Sequence, residues 1–228
     1  MAFPDLDRIE ALLFDLDGTL YDARPVRRGL AFELLASIVM TAKPWRALRA
    51  IRVLRTYRAL HEELRGSGPG MALRQTSEAA RRTGVPVAEV EAIVGEWMLE
   101  RPLARLVAAA RPGLGALLDA AQARGWRLGC LSDYPVSQKL AALGLTERLS
   151  FMACTSDPDI DAPKPSPVGF LAAARAWGLD PERVLYVGDR EAVDRAGARA
   201  AGMPCVLVGA GPGPDAQDFL ELRRRLGL

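Results

Sequence analysis

Ala11-Leu12-Leu13-Phe14-Asp15-Leu16-Asp17-Gly18-Thr19-Leu20 sets a short apolar run against two carboxylates one residue apart, with glycine immediately after the second. The apolar half, residues 11–15, reads as a buried strand. Its acidic half then falls at the strand's carboxyl end and on the turn beyond. In an open α/β sheet ligands bind past the carboxyl ends of the strands, so a reactive group belongs here. Two carboxylates so placed can serve one substrate. Asp15 can attack phosphorus to give an acyl phosphate, while Asp17 protonates the leaving oxygen and later takes a proton from the hydrolytic water. Taken alone, the stretch fits a polar strand end and a turn equally well.

Working outward, four more aliphatic, β-forming runs occur at 127–132, 151–154, 184–187 and 205–208. Helix-like stretches at 113–124, 167–177 and 191–201 alternate with them, which predicts a parallel, five-stranded, Rossmann-like α/β sheet with helices on both faces. The interval 22–109 breaks the alternation. It shows helical periodicity and no strand, with interruptions at Lys43-Pro44, 66–70, 84–86 and Arg101-Pro102. The expected organisation is an α/β core made of residues 1–21 and 110–228, with an all-helical cap at 22–109 inserted after the first motif. The chain re-enters the core through Arg111-Pro112-Gly113, where proline suits a first helical turn. A Gly/Pro loop at 209–214 precedes a last amphipathic helix that is expected to close the sheet.

The 228 residues are half hydrophobic and one quarter charged, enough for a sizeable core. The longest apolar stretch, 29–40, is interrupted by Glu33 and falls short of the ~18 residues of a membrane span. Asp5, Asp7 and Glu10 give the N-terminus the wrong charge order for a secretory signal, so a cytoplasmic protein with no membrane partner is expected. Cys130, Cys154 and Cys205 are widely spaced in apolar runs and read as core thiols. With one histidine and no close Cys or His cluster, a zinc site is not expected. That histidine, His61, is read as a surface or helix-end residue. Residues 22–110 hold fifteen Lys or Arg against nine Asp or Glu, and the remainder fifteen against nineteen. A basic insertion over an acidic core suits attraction of an anionic substrate, and solvated arginines explain it as well. Arg46, Arg49, Arg52, Arg55 and Arg58 recur every third residue and therefore wind around a helix instead of forming one phosphate-binding row, so no nucleic-acid partner is expected. Leu48, Ile51, Leu54 and Tyr57 wind beside them as an apolar stripe.

Three downstream features join the first motif. Leu128 to Asp133 is an apolar strand ending in Ser132, whose hydroxyl and following backbone N–H can donate to phosphate oxygens. Lys164 lies between prolines in Ala162-Pro163-Lys164-Pro165, fixed where an ammonium can stabilise a developing phosphoryl charge. Val184-Leu185-Tyr186-Val187-Gly188-Asp189 puts a carboxylate at another strand tip, with Asp194 five residues on. Mg²⁺ prefers a few carboxylate oxygens, waters and substrate phosphate, so Asp15, the Asp17 backbone carbonyl and Asp189 make a plausible set. Asp194 would hold a metal-bound water or pair with Lys164. A phosphate dianion approaches so many carboxylates only when positive charge offsets the repulsion.

In this order the four features resemble the haloacid dehalogenase superfamily. The resemblance covers residues 11–20 and 111–209. It implies Asp15 as nucleophile, Asp17 as acid/base, Ser132 and Lys164 as phosphate ligands, Asp189 with Asp194 as the metal-binding acidic pair, and the helical insertion as the family's first-type cap, excluding water and selecting substrate. The family commonly has Asn after the hydroxyl residue of the second motif. Here Asp133 stands at that phosphate-binding position, and its carboxylate is unfavourable beside phosphate unless it points elsewhere, for example to cap the next helix. Arg190 adds a cation beside Asp189, with a surface role expected. Asp17 favours phosphoryl transfer over dehalogenation. Lys43, the one lysine in the insertion, is no sign of phosphonate hydrolysis. The resulting expectation is a Mg²⁺-dependent phosphomonoester hydrolase for a small phosphorylated metabolite, with a sugar phosphomutase or a catalytically silent binding module as alternatives. Arg24, Arg27 and Arg28, just past the first motif, are the candidate contacts to the non-reacting part of the substrate.

Overall fold

A computed structural model describes residues 8–40, 43–209 and 213–228. The N-terminal charges at Asp5 and Asp7, and residues 210–212 of the Gly/Pro loop, lie outside the described residues. Strands β1 (Ala11–Phe14), β2 (Arg127–Ser132), β3 (Phe151–Cys154), β4 (Val184–Gly188) and β5 (Cys205–Leu207) form one parallel sheet in the order β3-β2-β1-β4-β5. Every residue of β1 and β4 is buried, which explains their unbroken apolar runs. The strand order reverses direction between β1 and β4, the switch point at which such sheets open a ligand crevice. Asp15 and Asp189 immediately follow these two adjacent strands.

Alternation along each strand sends side chains to opposite faces. Leu12, Phe14, Leu128, Cys130, Leu185 and Val187 face α6 (Leu114–Ala123) and α10 (Phe219–Arg225). Leu13, Leu131 and Tyr186 face α8 (Val168–Trp177), whose Phe170, Ala173, Ala174 and Trp177 make one apolar stripe. The last helix therefore covers a face and does not close the sheet. Phe219 meets Phe14 edge to face, with centroids 6.0 Å apart. Helix α7 (Ser137–Ala142) follows β2. After β4 the chain makes a π-helical turn at Glu191–Arg195 before α9 (Ala196–Ala200), where the sequence suggested one continuous helix.

Among the described residues the elements between β1 and α6 are helical: α1 (Ala23–Met40), α2 (Pro44–Glu63), α3 (Met71–Thr83), α4 (Val87–Val94) with a π-helical continuation to Glu100, and α5 (Leu103–Ala109). Val53, Leu60, Ala79, Ala80, Val85 and Val90 give this segment a small core of its own. The buried side of α2 is Ala47, Ala50, Val53, Leu54, Leu60 and His61, whereas Leu48 is exposed, so the expected apolar stripe is only partly the packing face. The two passages between helices and sheet run side by side. Tyr21 bridges antiparallel to Ala110, Asp22 N donates to Ala109 O at 2.9 Å, and Arg111 N donates to Leu20 O at 3.0 Å. Cys130 and Cys154 are buried and Cys205 is partly buried, all as free thiols. Among the described residues no helix is long and apolar enough to cross a membrane.

Candidate active site

The end of β1 delivers Asp15 into a buried cluster of charges. Its Oδ1 accepts from Lys164 Nζ at 2.6 Å and its Oδ2 from Thr19 Oγ1 at 3.1 Å. Lys164 also donates to Asp194 Oδ1 at 2.7 Å, so one buried ammonium joins two buried carboxylates. Asp194 Oδ1 accepts from the Tyr186 hydroxyl as well, and Oδ2 accepts from the backbone N–H groups of Asp189 and Arg190. With four donors on its carboxylate, Asp194 fastens Lys164 and the chain after β4 in place. Its Cβ sits where a Cβ on Gly188 would be, at 2.4 Å, so that position requires glycine.

Asp189 is the odd member of the cluster. Its Oδ1 is buried and has no hydrogen-bond partner among the described residues, and its Oδ2 lies 2.2 Å from the place a Cβ on Gly18 would take. Gly18, at φ +110°, is thus needed both for its backbone conformation and for the approach of this carboxylate. One oxygen each of Asp15, Asp189 and Asp194 come within 4.8 Å of one another. Burial, then Asp194, pushes Asp189 up to about 6. Burial likewise pushes Asp15 up against the pull of Lys164, with Asp194 and Asp189 adding to the rise. An orphaned oxygen in a cluster with excess negative charge fits a divalent cation. Asp15, Asp189 and the Asp17 backbone carbonyl are the groups that would hold it, because the Asp194 oxygens already have their donors.

Asp17 faces another way. Its oxygens accept from Lys139 Nζ at 2.6 and 2.8 Å, and Oδ1 also from the Tyr21 hydroxyl. Burial raises the pKa of Asp17, but Lys139 and Tyr21 outweigh it and hold the group below the ordinary carboxylate value. Lys139, on α7, had no signal in the sequence to separate it from a solvated lysine. Ser132 is buried, and its Oγ accepts from Tyr134 N at 3.3 Å, leaving the hydroxyl proton for an acceptor in the cavity.

Asp133, expected among the phosphate ligands, has its carboxylate engaged elsewhere. Oδ1 accepts from Thr155 Oγ1 at 3.1 Å and Lys164 N at 3.0 Å; Oδ2 accepts from Arg65 Nη1 at 2.8 Å and lies 3.4 Å from His61 Nε2. Like charge would in any case keep it from a phosphate, so only its backbone N–H remains for that role. It does not cap α7; it ties the core to the end of α2. His61 is buried, with Nδ1 3.2 Å from Gln75 Oε1, and is neither a surface nor a free helix-end residue. Arg190 is exposed and bridges to Glu62 at 3.1 Å. Burial works against the charge on Asp133, but His61, Lys164 and Arg65 together hold it far below the usual carboxylate range. Asp133→Ala should therefore lower stability at neutral pH by roughly 2–4 kcal/mol, since the largely buried Arg65 guanidinium keeps only Glu62 as its ionic partner and Lys164 N and Thr155 Oγ1 lose their acceptor. Because the folded pKa is depressed, this contribution is present above the unfolded value of about 4 and fades as pH falls below it. Urea titrations of both proteins from pH 7 downward should show the gap closing below that value; a gap independent of pH would refute the ionic origin.

A cavity of about 520 Å³ extends from these acids to the helical segment, where Val26, Arg27, Leu30, Arg58, Trp97 and Met98 line it. Of the three arginines expected at the substrate, only Arg27 reaches this cavity. Arg24 is exposed and forks onto Asp22 at 3.1 Å, and Arg28 is exposed away from the cavity lining.

The model of the haloacid dehalogenase-like hydrolase family matches residues 9–202. Phosphoglycolate phosphatase of Cupriavidus necator is 30% identical over 213 residues, 90% of this chain and 84% of that protein. N-acetylmuramic acid 6-phosphate phosphatase of Pseudomonas aeruginosa is 29% identical over 188 residues, 80% and 74% of the two chains. Among solved structures, 2-haloacid dehalogenase from Pseudomonas syringae superposes with a TM-score of 0.64 at 24% identity, covering 96% of this chain and 98% of that one, which is a likeness of fold. The family match spans the acids after β1 and β4: the chain belongs to the haloacid dehalogenase superfamily, as a phosphatase-like hydrolase.

Proposed function

We propose that the protein is a Mg²⁺-dependent phosphomonoester hydrolase that works through a phosphoaspartate on Asp15 and acts on a small phosphorylated metabolite. The observation that carries this reading is the cluster of buried Asp15, Lys164 and Asp194 with partly buried Asp189 at the sheet's switch point, one oxygen of Asp189 having no partner among the described residues. The activities of the named relatives favour a small substrate. A carboxylate oxygen of Asp15 attacks phosphorus as the bond from phosphorus to the ester oxygen breaks, and the alcohol leaves with a proton. Asp17 handles that proton as one unit with Lys139 and Tyr21, and takes one from the water that then attacks the acyl phosphate. The water's oxygen ends on phosphate, and Asp15 is restored. Lys164 and Ser132 stabilise the phosphoryl oxygens from the strand ends. Mg²⁺, when held by Asp15, Asp189 and the Asp17 carbonyl, supplies the charge that admits a phosphate dianion. The helical segment with its cavity acts as the selecting cap, and residues 22–109 are read as that unit.

The test uses turnover and heat stability together. Mg²⁺ should raise the melting temperature of the wild type, and Asp189→Ala should lose both this rise and roughly a hundredfold or more of its turnover while staying folded. Asp189 has a raised folded pKa of about 6, so the ion-free native state keeps a proton that the unfolded chain sheds above about 4. Stability of the ion-free protein contributed by this group therefore declines as pH rises through that window, and the Mg²⁺-induced rise should shrink below pH 6 and grow from there toward pH 8, where Asp15, raised to about 8, gives up its proton as well. Unchanged turnover and an unchanged Mg²⁺ response in Asp189→Ala would remove Asp189 from the site.

A further inference from the structure

The helical segment carries fourteen arginines, and only some have an acid of their own. Arg24, Arg49, Arg65, Arg82, Arg101 and Arg105 each pair with a carboxylate. Among the described residues the side chains of Arg27 on α1 and Arg58 on α2 make no hydrogen bond or ion pair; those of Arg28, Arg46 and Arg55 make none either, but they do not line the cavity above the acids. Both line the cavity above the acids, both are open to its solvent, and the wall around them is apolar, made of Val26, Leu30, Trp97 and Met98. A second hollow of about 250 Å³ adjoins the first and shares Arg27, Leu30, Arg58 and Trp97 with it. The arginines thus stand where the two hollows meet, on the helical side of the cavity.

Two cations on facing helices repel one another, and an apolar wall strengthens that repulsion. Partial burial and the nearness of Arg27 both disfavour the charged form of Arg58. Asp17 lies within electrostatic reach, but Lys139 already neutralises it at contact distance. The reacting phosphate has its own cation, Lys164, across the cavity. What would satisfy the arginines is a separate anion, and the planar guanidinium fork matches a carboxylate or a phosphate bidentately.

We propose that Arg27 and Arg58 form a second anion subsite, and that the substrate carries a carboxylate or a second phosphate at the end remote from its reacting phosphoester. This rests on the phosphatase reading above. It divides the labour of recognition: the strand ends hold the phosphoryl group common to all phosphomonoesters, and α1 and α2 select esters whose other end is charged.

The test compares propyl phosphate, its analogue ending in a carboxylate, its analogue ending in a second phosphate, and p-nitrophenyl phosphate, all with Mg²⁺. The wild type should favour at least one anion-ended ester over propyl phosphate by about tenfold or more in kcat/KM, and the better of the two tells carboxylate from phosphate. Arg58→Met and Arg27→Met should each raise KM for that ester roughly tenfold with kcat changed less than about threefold, and the double variant should lose the preference altogether. Arg58→Lys should restore part of it, since charge returns without the fork. If p-nitrophenyl phosphate is hydrolysed but the three alkyl esters are handled alike, or if the preference survives in the double variant, the subsite is refuted while the phosphatase reading stands. If no ester is hydrolysed, that reading fails and the subsite falls with it.

Discussion

Asp15→Asn should carry no phosphate after mixing with an activated aryl phosphate, and its steady-state hydrolysis should fall by roughly four orders of magnitude. An amide has no anionic oxygen with which to attack phosphorus. The fold should survive, because the amide oxygen can still accept from Lys164 and the amide N–H₂ can meet Thr19 Oγ1, the two partners that Asp15 has now. Stability should even increase in the absence of Mg²⁺. Burial and the neighbouring acids make the Asp15 carboxylate costly in the ion-free protein, and a neutral amide removes that cost. Asp17→Asn should behave differently. With an activated leaving group the first step needs little proton donation, so phosphoenzyme should form and then persist for want of a base. Mass analysis of the peptide containing Asp15, after a single turnover, separates the two cases. Phosphate on the protein in Asp15→Asn, or undiminished steady-state turnover in Asp17→Asn, would overturn the assignment.

Lys164→Met should lose activity and also roughly 3–5 kcal/mol of stability at pH 8, because a side chain of similar volume leaves Asp15 and Asp194 as buried carboxylates with no cation between them. The pH dependence gives the sign. Without the ammonium, burial raises both carboxyls above their unfolded value of about 4, so the native state binds more protons and the variant gains stability as pH falls from 8. Urea midpoints for wild type and variant should therefore converge toward pH 5. A variant whose deficit is the same at both pH values has lost packing and not charge balance, which would refute the proposed role of the ammonium as the counterion of these two acids.

The five strands of the sheet were legible because parallel strands buried on both faces leave unbroken apolar runs, and the acids at the ends of β1 and β4 stand out against such runs. What stayed hidden came from across the chain. Lys139 reaches Asp17 over 122 positions, and Arg65 reaches Asp133 over 68. A single lysine on a short helix has no neighbour in sequence to announce that it is buried. His61 looked solitary for the same reason: its partners, Gln75 and Asp133, lie on other elements. The arginines after the first motif were close to the cavity in sequence, yet a single step along a helix, about 100°, separates Arg27, which enters it, from Arg28, which does not. Arg24 also found a local acid in Asp22, an attraction that spacing alone does not rank against a cavity. Arg58 sat unmarked within a threefold periodicity whose other members are surface residues.

Tyr21 and Ala110 are 89 positions apart in the chain and nearest neighbours in space, and Arg111 adds a hydrogen bond from its side chain to Thr19 O at 2.9 Å. The core therefore meets the helices through a double stem whose two strands are already stitched together. Because the ends of the excursion are joined locally, its length is nearly free: doubling a flexible loop adds only about 0.6 kcal/mol of closure entropy. The stem also restricts motion, since two tethers bonded side by side can bend together but cannot twist independently. Any rocking of the helices would swing about one line that passes beside Tyr21, and Tyr21 donates to Asp17. Such a swing would be felt first at Asp17, the residue proposed to handle the proton, without any contact with substrate.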